Sequence, residues 1–591
     1  MLTRLEQTGK TNQWYNIYKF LASEDLPNRW EITELNPDQN PLELANDLAA
    51  HFSHITNMSG PLNAESVPKS DTGPGLIPQL DVTNVKKMIL GYKKCNSRVN
   101  GDLPKDLVNP CAGKLAEALT VIYNACFINK RWPTKWKVET IIPIPKSLSP
   151  GGFDDIRPIS MTTLWSKILE TYVANFTLEE TKKNWKNSQY GGRKGSSTDH
   201  VLVGLWNKIL TGLDSGSKAV ILAGIDFSKS FSRCSHREIL QAYVRLGLCQ
   251  WGIDMHAAFL QDRKMRVKIG NILSHEHPVT GGAVQGSVLG VLDHNAVLEF
   301  IDEEIEDQEV YKYIDDLTLD ESIDQNIDCL VEDLGHNSVH IFKPKKTQDS
   351  FLKLSQACQD KGLKINDKKT QLLSISAGRN ETKAWISLRD GSTLYSSDSF
   401  KLLGFMFSNK PNVRAQVDHI VNRATSRTFV LRHLSSFNAD KNKLRNVYCS
   451  IIRSVMEYSS VTFGPMMTKY EKNRMENIQK KCLRTIYGYG TDYEKLLELS
   501  GLDTLEQRRT NALLKFAQKA SNNPQFRSWF PLNQNRSSQR IGKEYEEKQA
   551  KSDRLYNSPL YAMRRALNNS PSNNRNYNPR FEDLSHLFNE P

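Results

Sequence analysis

Adjacent carboxylates stand at Asp315 and Asp316, inside the run Val310-Tyr-Lys-Tyr-Ile-Asp-Asp-Leu-Thr-Leu319. The residues on either side are strand formers, which places the pair at a hairpin turn. Two acids at a tight turn repel each other unless a divalent cation neutralises them, so a metal site is the chemistry to test. Taken alone, an Asp-Asp turn is more often a solvated loop. A third carboxylate shifts that balance. The apolar run Ala219-Val-Ile-Leu-Ala-Gly-Ile225 reads as a buried strand and ends at Asp226, followed by Phe227-Ser-Lys-Ser-Phe231. A buried strand that ends on an acid is expected to end at a cleft. A cation follows in Gly362-Leu-Lys-Ile-Asn-Asp-Lys-Lys-Thr370, where Lys369 could neutralise or protonate a leaving group. A solvated surface lysine is an equal reading of that residue.

These residues need elements to hold them. Helical spacing runs from about 78 to 130, with Val85, Met88 and Ile89, then Leu115, Leu119 and Ile122. Asp102-Leu-Pro-Lys-Asp106 reads as a helix start. Val138-Glu-Thr-Ile-Ile-Pro-Ile-Pro145 reads as a strand whose prolines put it at a sheet edge. Arg157-Pro-Ile-Ser-Met is expected to open a helix carrying Leu164, Ile168, Leu169 and Tyr172. Gly191-Gly-Arg-Lys-Gly-Ser-Ser-Thr198 is a loop before a further helix, and it lacks the Gly-Lys-Ser/Thr ending of a phosphate-binding loop. After Asp226 a helix should turn Ile239, Leu240, Tyr243 and Val244 inward. Strands and helices therefore alternate through the middle of the chain. From about 412 to 490 the pattern turns helical and basic, with Arg423, Arg427, Arg432, Lys441, Lys443, Arg445 and Arg453. Asn568-Asn-Ser-Pro-Ser-Asn-Asn574 has the composition of a disordered tail.

The 591 residues suffice for several cores, and 78 lysines and arginines against 66 acids leave a charge of +12. That excess suits a polyanion such as nucleic acid. The nine cysteines form no Cys-x-x-Cys pair, which argues against a zinc knuckle and against a disulfide framework. No signal-peptide core or membrane-spanning run occurs. The expectation is a soluble intracellular protein with no membrane partner, nuclear or cytoplasmic residence being left open.

In this order, the segments resemble the motifs of reverse transcriptases, above all those of non-LTR (LINE-like) retrotransposons. Palm motifs are matched by Asp226-Phe-Ser-Lys-Ser-Phe231, Gly282-Ala-Val-Gln-Gly-Ser-Val-Leu-Gly290, Tyr313-Ile-Asp-Asp316 and Leu363-Lys-Ile-Asn366 with Lys369-Thr370. Lys401-Leu-Leu-Gly-Phe405 is similar to the primer grip. Ile142-Pro-Ile-Pro-Lys146, Arg157-Pro-Ile-Ser160 and Gln189-Tyr-Gly-Gly192 are similar to the fingers motifs. The resemblance spans roughly residues 80 to 490, and the ordered set is far more specific than any member.

The resemblance implies an α+β right-hand polymerase: fingers, a palm with an antiparallel sheet, a helical thumb and a small helical C-terminal region. It divides the chain into a partly helical leader (1–77), fingers and palm (78–410), thumb (411–490) and C-terminal region (491–591). It implies an RNA-directed DNA polymerase that extends a primer 3′-hydroxyl with dNTPs, its partners being an RNA template and a DNA primer. Asp226, Asp315, Asp316 and Lys369 are the implied catalytic residues. Asp226, Phe227, Asp315 and Asp316 would hold two Mg²⁺ ions, with Mn²⁺ as an alternative. One ion would lower the pKa of the attacking hydroxyl and the other would stabilise the leaving oxygen.

Lys146, Arg157, Phe231, Gln285 and Gly286 are the implied nucleotide-binding residues. The Phe231 ring would collide with a ribose 2′-hydroxyl, Gly286 would let backbone approach closely, and the two cations would meet phosphate. Leu403 and Gly404 would grip the primer. Arginines after 412 would hold the duplex backbone without reading sequence. For Phe231 a core phenylalanine, and for Lys146 and Arg157 surface salt bridges, are the plainer readings.

The chain also departs from the pattern. Val284 stands where the family has proline before Gln-Gly, which predicts a looser loop. Leu292-Asp-His-Asn295 replaces an apolar run, which predicts a damaged helix behind the palm. The short leader implies a polymerase region without the N-terminal endonuclease of full-length elements. A catalytically inactive nucleic-acid-binding remnant is the alternative. An RNA-dependent RNA polymerase is a further rival, against which Phe231 argues.

Overall fold

The computed structural model describes residues 32–570 apart from 37, 58–59, 93–101, 148–149, 306–307, 325–328, 334–337, 379–380, 534–543 and 548. Residues 1–31 of the leader and 571–574 of the run expected to be disordered lie outside this set, whereas Asn568 of that run ends the helix Pro559–Asn568 and bonds to Tyr545.

The central sheet explains why the run before Asp226 is apolar throughout. Strand Ala219–Ile225 lies between Gln371–Ile375 and Asp316–Ile323, with Val310–Tyr313 at the edge, and all neighbours are antiparallel. Its two faces enter two cores. Ala219, Ile221, Ala223 and Ile225 pack with Tyr243, Leu289 and Phe351, whereas Val220 and Leu222 pack with Leu202, Trp206 and Phe407. A strand covered on both sides has no solvent face, so period-two alternation disappears from its sequence.

A second sheet stands beside the first. Strand Val138–Pro145 pairs antiparallel with Ile156–Met161 and parallel with Arg263–Ile269. It is therefore interior, contrary to the expectation of an edge. The parallel ladder stops at Ile141, so Pro143 and Pro145 lie beyond it and remove no donor from it. Residues Arg157 to Ser160 likewise belong to a strand, Ile156–Met161, and not to a helix start. Pro158 disfavours helical backbone at Arg157. The helix begins at Leu164, where the Thr163 hydroxyl accepts from the Ser166 N–H. Asp102 also accepts from the Leu164 N–H at 3.2 Å, so its carboxylate serves that helix.

Helix Pro41–Thr56 buries Leu44, Leu48 and Phe52 against Ile141, Met265 and Val267 of the second sheet. Helix Arg414–Ser436 packs with Lys469–Tyr487 and, through Phe405 and Phe407, on the back of the central sheet. Helices Leu505–Ser521 and Pro559–Asn568 close over Val203 of the helix Thr198–Asp214. The arrangement is the α+β right hand: a fingers sheet, an antiparallel palm and a helical thumb. Helix Val288–Glu299 forms along its whole length, so the expected damage behind the palm is absent. Two of its polar residues are held by bonds, Asp293 to Tyr243 and His256 and Asn295 to Gly191, while His294 stacks on Phe231. No described helix is long and apolar enough to cross a membrane.

Candidate active site

Three carboxylates meet at one end of the central sheet because of its register. Ile225 faces Leu317, so Asp226 continues beside Asp316 on the neighbouring strand. Tyr313 pairs with Asp316, leaving Ile314 and Asp315 as a two-residue turn. Ile314 has φ +57°, a conformation unusual for a β-branched residue. Buried amides hold it there. The Gln189 Oε1 accepts from the N–H groups of Ile314 at 3.1 Å and Gly191 at 2.9 Å. The Gln189 amide donates to Asn295 at 3.3 Å, and Asn295 donates to the Gly191 carbonyl at 2.9 Å. Gly191 lies so close that a Cβ there would come within 2.5 Å of the Ile314 nitrogen.

Electrostatics at this corner favour an added cation. Asp316 is pushed up to about 6 by burial, then by the charges of Asp315 and Asp226. Asp315 opens to solvent at the tip of the turn, yet the cleft walls around it withdraw bulk water. That desolvation raises its pKa, as does Asp226, while Arg157 opposes. Asn366 donates to Asp226 at 3.1 Å. The residues fit Mg²⁺, which binds through one or two carboxylates and takes its remaining ligands from water and substrate phosphates. Among the described residues no three His, Cys, Asp or Glu side chains form a cage that would hold an ion unaided. Phe227 meets Ile365 through bonds at Asp226 O and Ser228 N, so its own carbonyl takes no part in that ladder.

Cations line the same cleft as two of these acids. A cleft of about 340 Å³ is lined by Asp226 and Asp315 together with Lys146, Arg157, Lys369 and Phe231. The Lys146 pKa is lowered by desolvation, then by the neighbouring charges of Lys369, Lys229 and Arg157. A pocket that crowds cations suits a polyphosphate. Gln285 lines the same cleft, and its carbonyl accepts from the Ser160 N–H at 2.8 Å. Gly286 has φ +122°, and a Cβ would meet the Ser160 carbonyl oxygen at 2.5 Å, so no other residue fits this crossing. The loop is tied at its start as well: Gly282 and Ala283 donate to Cys234 O and Phe231 O, both at 2.7 Å. Val284 itself is buried, and the predicted loosening is absent.

A match to a known family falls on the same residues. Residues 144–407 match the family described as Reverse transcriptase (RNA-dependent DNA polymerase). Residues 144–407 thus match a reverse transcriptase domain. The chain is similar to the RNA-directed DNA polymerase from mobile element jockey of Drosophila melanogaster, 28% identical over 391 residues, covering 63% of this chain and 40% of that protein. It is also similar to the probable RNA-directed DNA polymerase from transposon BS of the same organism, 24% identical, covering 66% of this chain and 43% of that protein. The chain thus spans less than half the length of these curated relatives. A solved apo telomerase from Candida tropicalis, truncated from its C-terminal domain, shares 13% identity at a TM-score of 0.32 over 50% of this chain and 59% of that one.

The reverse transcriptase domain ends in the hairpin Ser399–Leu402 and Phe405–Ser408, whose turn residues Leu403 and Gly404 both have positive φ. The Tyr458 hydroxyl donates to the Leu403 carbonyl. Lys401 and Leu402 border a second cleft shared with Asp226 and Asp316, and Leu403 and Gly404 sit just beyond it. In the thumb, Arg423 and Arg432 are exposed. Arg427 instead donates to Ile451 O at 2.7 Å and Arg453 pairs with Glu457 at 3.6 Å, so both serve the fold.

Sequence reasoning missed Gln189, Asn295, Asn366 and the wall contributed by the leader. His51, on helix Pro41–Thr56, contacts Asp154 at 3.2 Å, and Asp154 pairs with Lys229. All three line the cleft that holds Asp226 and Asp315. Gln189 and Asn366 stood within quoted motifs, which was their only signal, and His51 carried none.

Proposed function

We propose that the chain is an RNA-directed DNA polymerase of a non-LTR retrotransposon-like element, extending a primer 3′-hydroxyl with dNTPs on an RNA template. The observation that carries this reading is the meeting of Asp226, Asp315 and Asp316 at one sheet end, beside a cleft that Lys146, Arg157 and Lys369 also line. The names of the relatives support the same activity. Asp226 and Asp315, with the Phe227 carbonyl, are the groups that would hold two Mg²⁺ or Mn²⁺ ions, and Asp316 sets the field beside them. Ions held there would supply Lewis acidity to the primer hydroxyl and to the departing pyrophosphate. Lys146 and Arg157 orient the triphosphate, and Lys369 neutralises or protonates the leaving group. The Phe231 ring excludes a 2′-hydroxyl, and Gln285 and Gly286 bring backbone to the nucleotide. Leu403 and Gly404 position the primer end.

The test is primer extension on an RNA template with Mg²⁺, comparing the wild type with Asp315→Asn. The wild type extends and the folded variant loses at least about a thousandfold in rate, the scale of a missing metal-site group. Template binding without incorporation by a folded wild type contradicts the proposal.

A further inference from the structure

Phe231 projects from the short helix Ser230–Arg233 into the cleft that holds Asp226 and Asp315. Its ring lies flat on the imidazole of His294, with centroids 4.0 Å apart and planes 5° from parallel. His294 belongs to helix Val288–Glu299 and is wholly buried, and among the described residues neither ring nitrogen meets a hydrogen-bond partner. Burial also drives its pKa down to about 3, so the ring is neutral.

That arrangement is unfavourable for a residue that only fills space. Leucine would occupy the site without leaving two polar atoms unpaired in the interior. What leucine lacks is a flat aromatic face.

The surroundings leave the imidazole little freedom. Asp293 accepts from the Tyr243 hydroxyl at 2.8 Å and meets His256 Nδ1 at 2.9 Å. Asn295, on the other side, donates to the Gly191 carbonyl at 2.9 Å. Both neighbours are bonded, so the helix cannot rotate His294 away from Phe231. The Phe231 backbone is fixed too, by the bond its carbonyl accepts from Ala283 at 2.7 Å. The remaining freedom of Phe231 is rotation of its ring, which the stack restricts beside its packing on the core.

We propose that His294 is a positioning residue for nucleotide selection, its imidazole holding the Phe231 ring in the orientation that rejects a ribonucleotide. The inference rests on the reading of Phe231 as the aromatic that excludes the 2′-hydroxyl. It assigns His294 no contact with substrate.

The experiment measures kcat/KM for dNTP and rNTP incorporation by the full chain on an RNA template with a DNA primer. His294→Leu and His294→Met both fill the space without a flat face, so the second serves should the first fail to fold. Each is expected to raise the rNTP:dNTP ratio about threefold to tenfold, the scale of one aromatic pairing. His294→Phe restores a stacked ring and is expected to keep the ratio within about twofold of wild type. Combined with Phe231→Ala, His294→Leu should add nothing to the ratio of Phe231→Ala alone, because it acts through that ring. A wild-type ratio in folded His294→Leu or His294→Met, beside a raised ratio in Phe231→Ala, overturns the inference and leaves the reading of Phe231 standing. An unchanged ratio in Phe231→Ala removes that reading and the inference with it.

Discussion

Asp316 is asked to hold a charge that burial and two neighbouring carboxylates oppose. Its folded pKa of about 6 lies above its ordinary value of 3.8, so between those pH values the folded chain binds more protons than the unfolded one. Stability at this site is therefore gained as pH falls through about 6 and lost as it rises. Without divalent cations, Asp316→Asn is expected to unfold at a higher temperature than wild type at about pH 7.5, with the gap closing near pH 4. Saturating Mg²⁺ should narrow the gap at the higher pH by neutralising the wild-type acids. Thermal melts in EDTA and in Mg²⁺ read this directly, and a gap independent of pH and metal contradicts the assignment. The three acids were legible because each stands in a short stretch whose neighbours have an obvious conformation. His294 was not: its partner Phe231 is remote in sequence, and a histidine inside an apolar helix carries no sign of what it faces.

Among the elements, the turn carrying Asp315 depends on a loop contributed from elsewhere in the chain. Gln189 spends its carbonyl oxygen on Ile314 and Gly191 and its amide on Asn295. Gln189→Leu leaves those N–H groups unpaired, at a cost of about 1–3 kcal/mol for a buried group. The expected outcome is a fall in kcat of about tenfold or more with primer-template Kd unchanged, since the thumb and hairpin are untouched. Equal losses in binding and turnover would mean that the loop only supports the fold. The strand before Asp226 and the helix carrying Tyr243 could be read directly, because burial on stated faces leaves a regular pattern. Residues 157–160 could not. Ile159 and Met161 suit either a helix or a strand, and beyond the bias Pro158 places on Arg157 it is the pairing of Ser160 with Ile141 that decides between them. The Val138–Pro145 strand misled for a related reason: its prolines mark the end of one ladder, which cannot be seen without the partner strand.

Across the whole molecule the cleft is built from parts far apart in the sequence. Helix Pro41–Thr56 supplies one wall through His51 and Phe52. At the other end of the chain, Phe526 stacks on Tyr190, and Gln525 donates to Asn187 O at 3.0 Å, steadying the loop that holds the Asp315 turn. Composition pointed to a polyanion through the charge of +12, but not to where it lies. Among the arginines expected to hold the duplex, Arg423 is exposed whereas Arg427 and Arg453 are engaged within the fold. Arg423→Ala should weaken primer-template binding similarly for all sequences and reduce the slope of log K against log salt by about one. An unchanged slope would place the duplex elsewhere.

The central claim is that Asp226 and Asp315 jointly hold the ions of a polymerase. It is tested most directly by counting Mn²⁺ by electron paramagnetic resonance in the full chain bound to RNA template, a 3′-deoxy DNA primer and the matching dNTP. The expected result is about two ions per wild-type complex, with at least one lost in Asp315→Asn while primer-template stays bound. The same count in Asp315→Asn, or no bound Mn²⁺ in the wild type, would contradict the account.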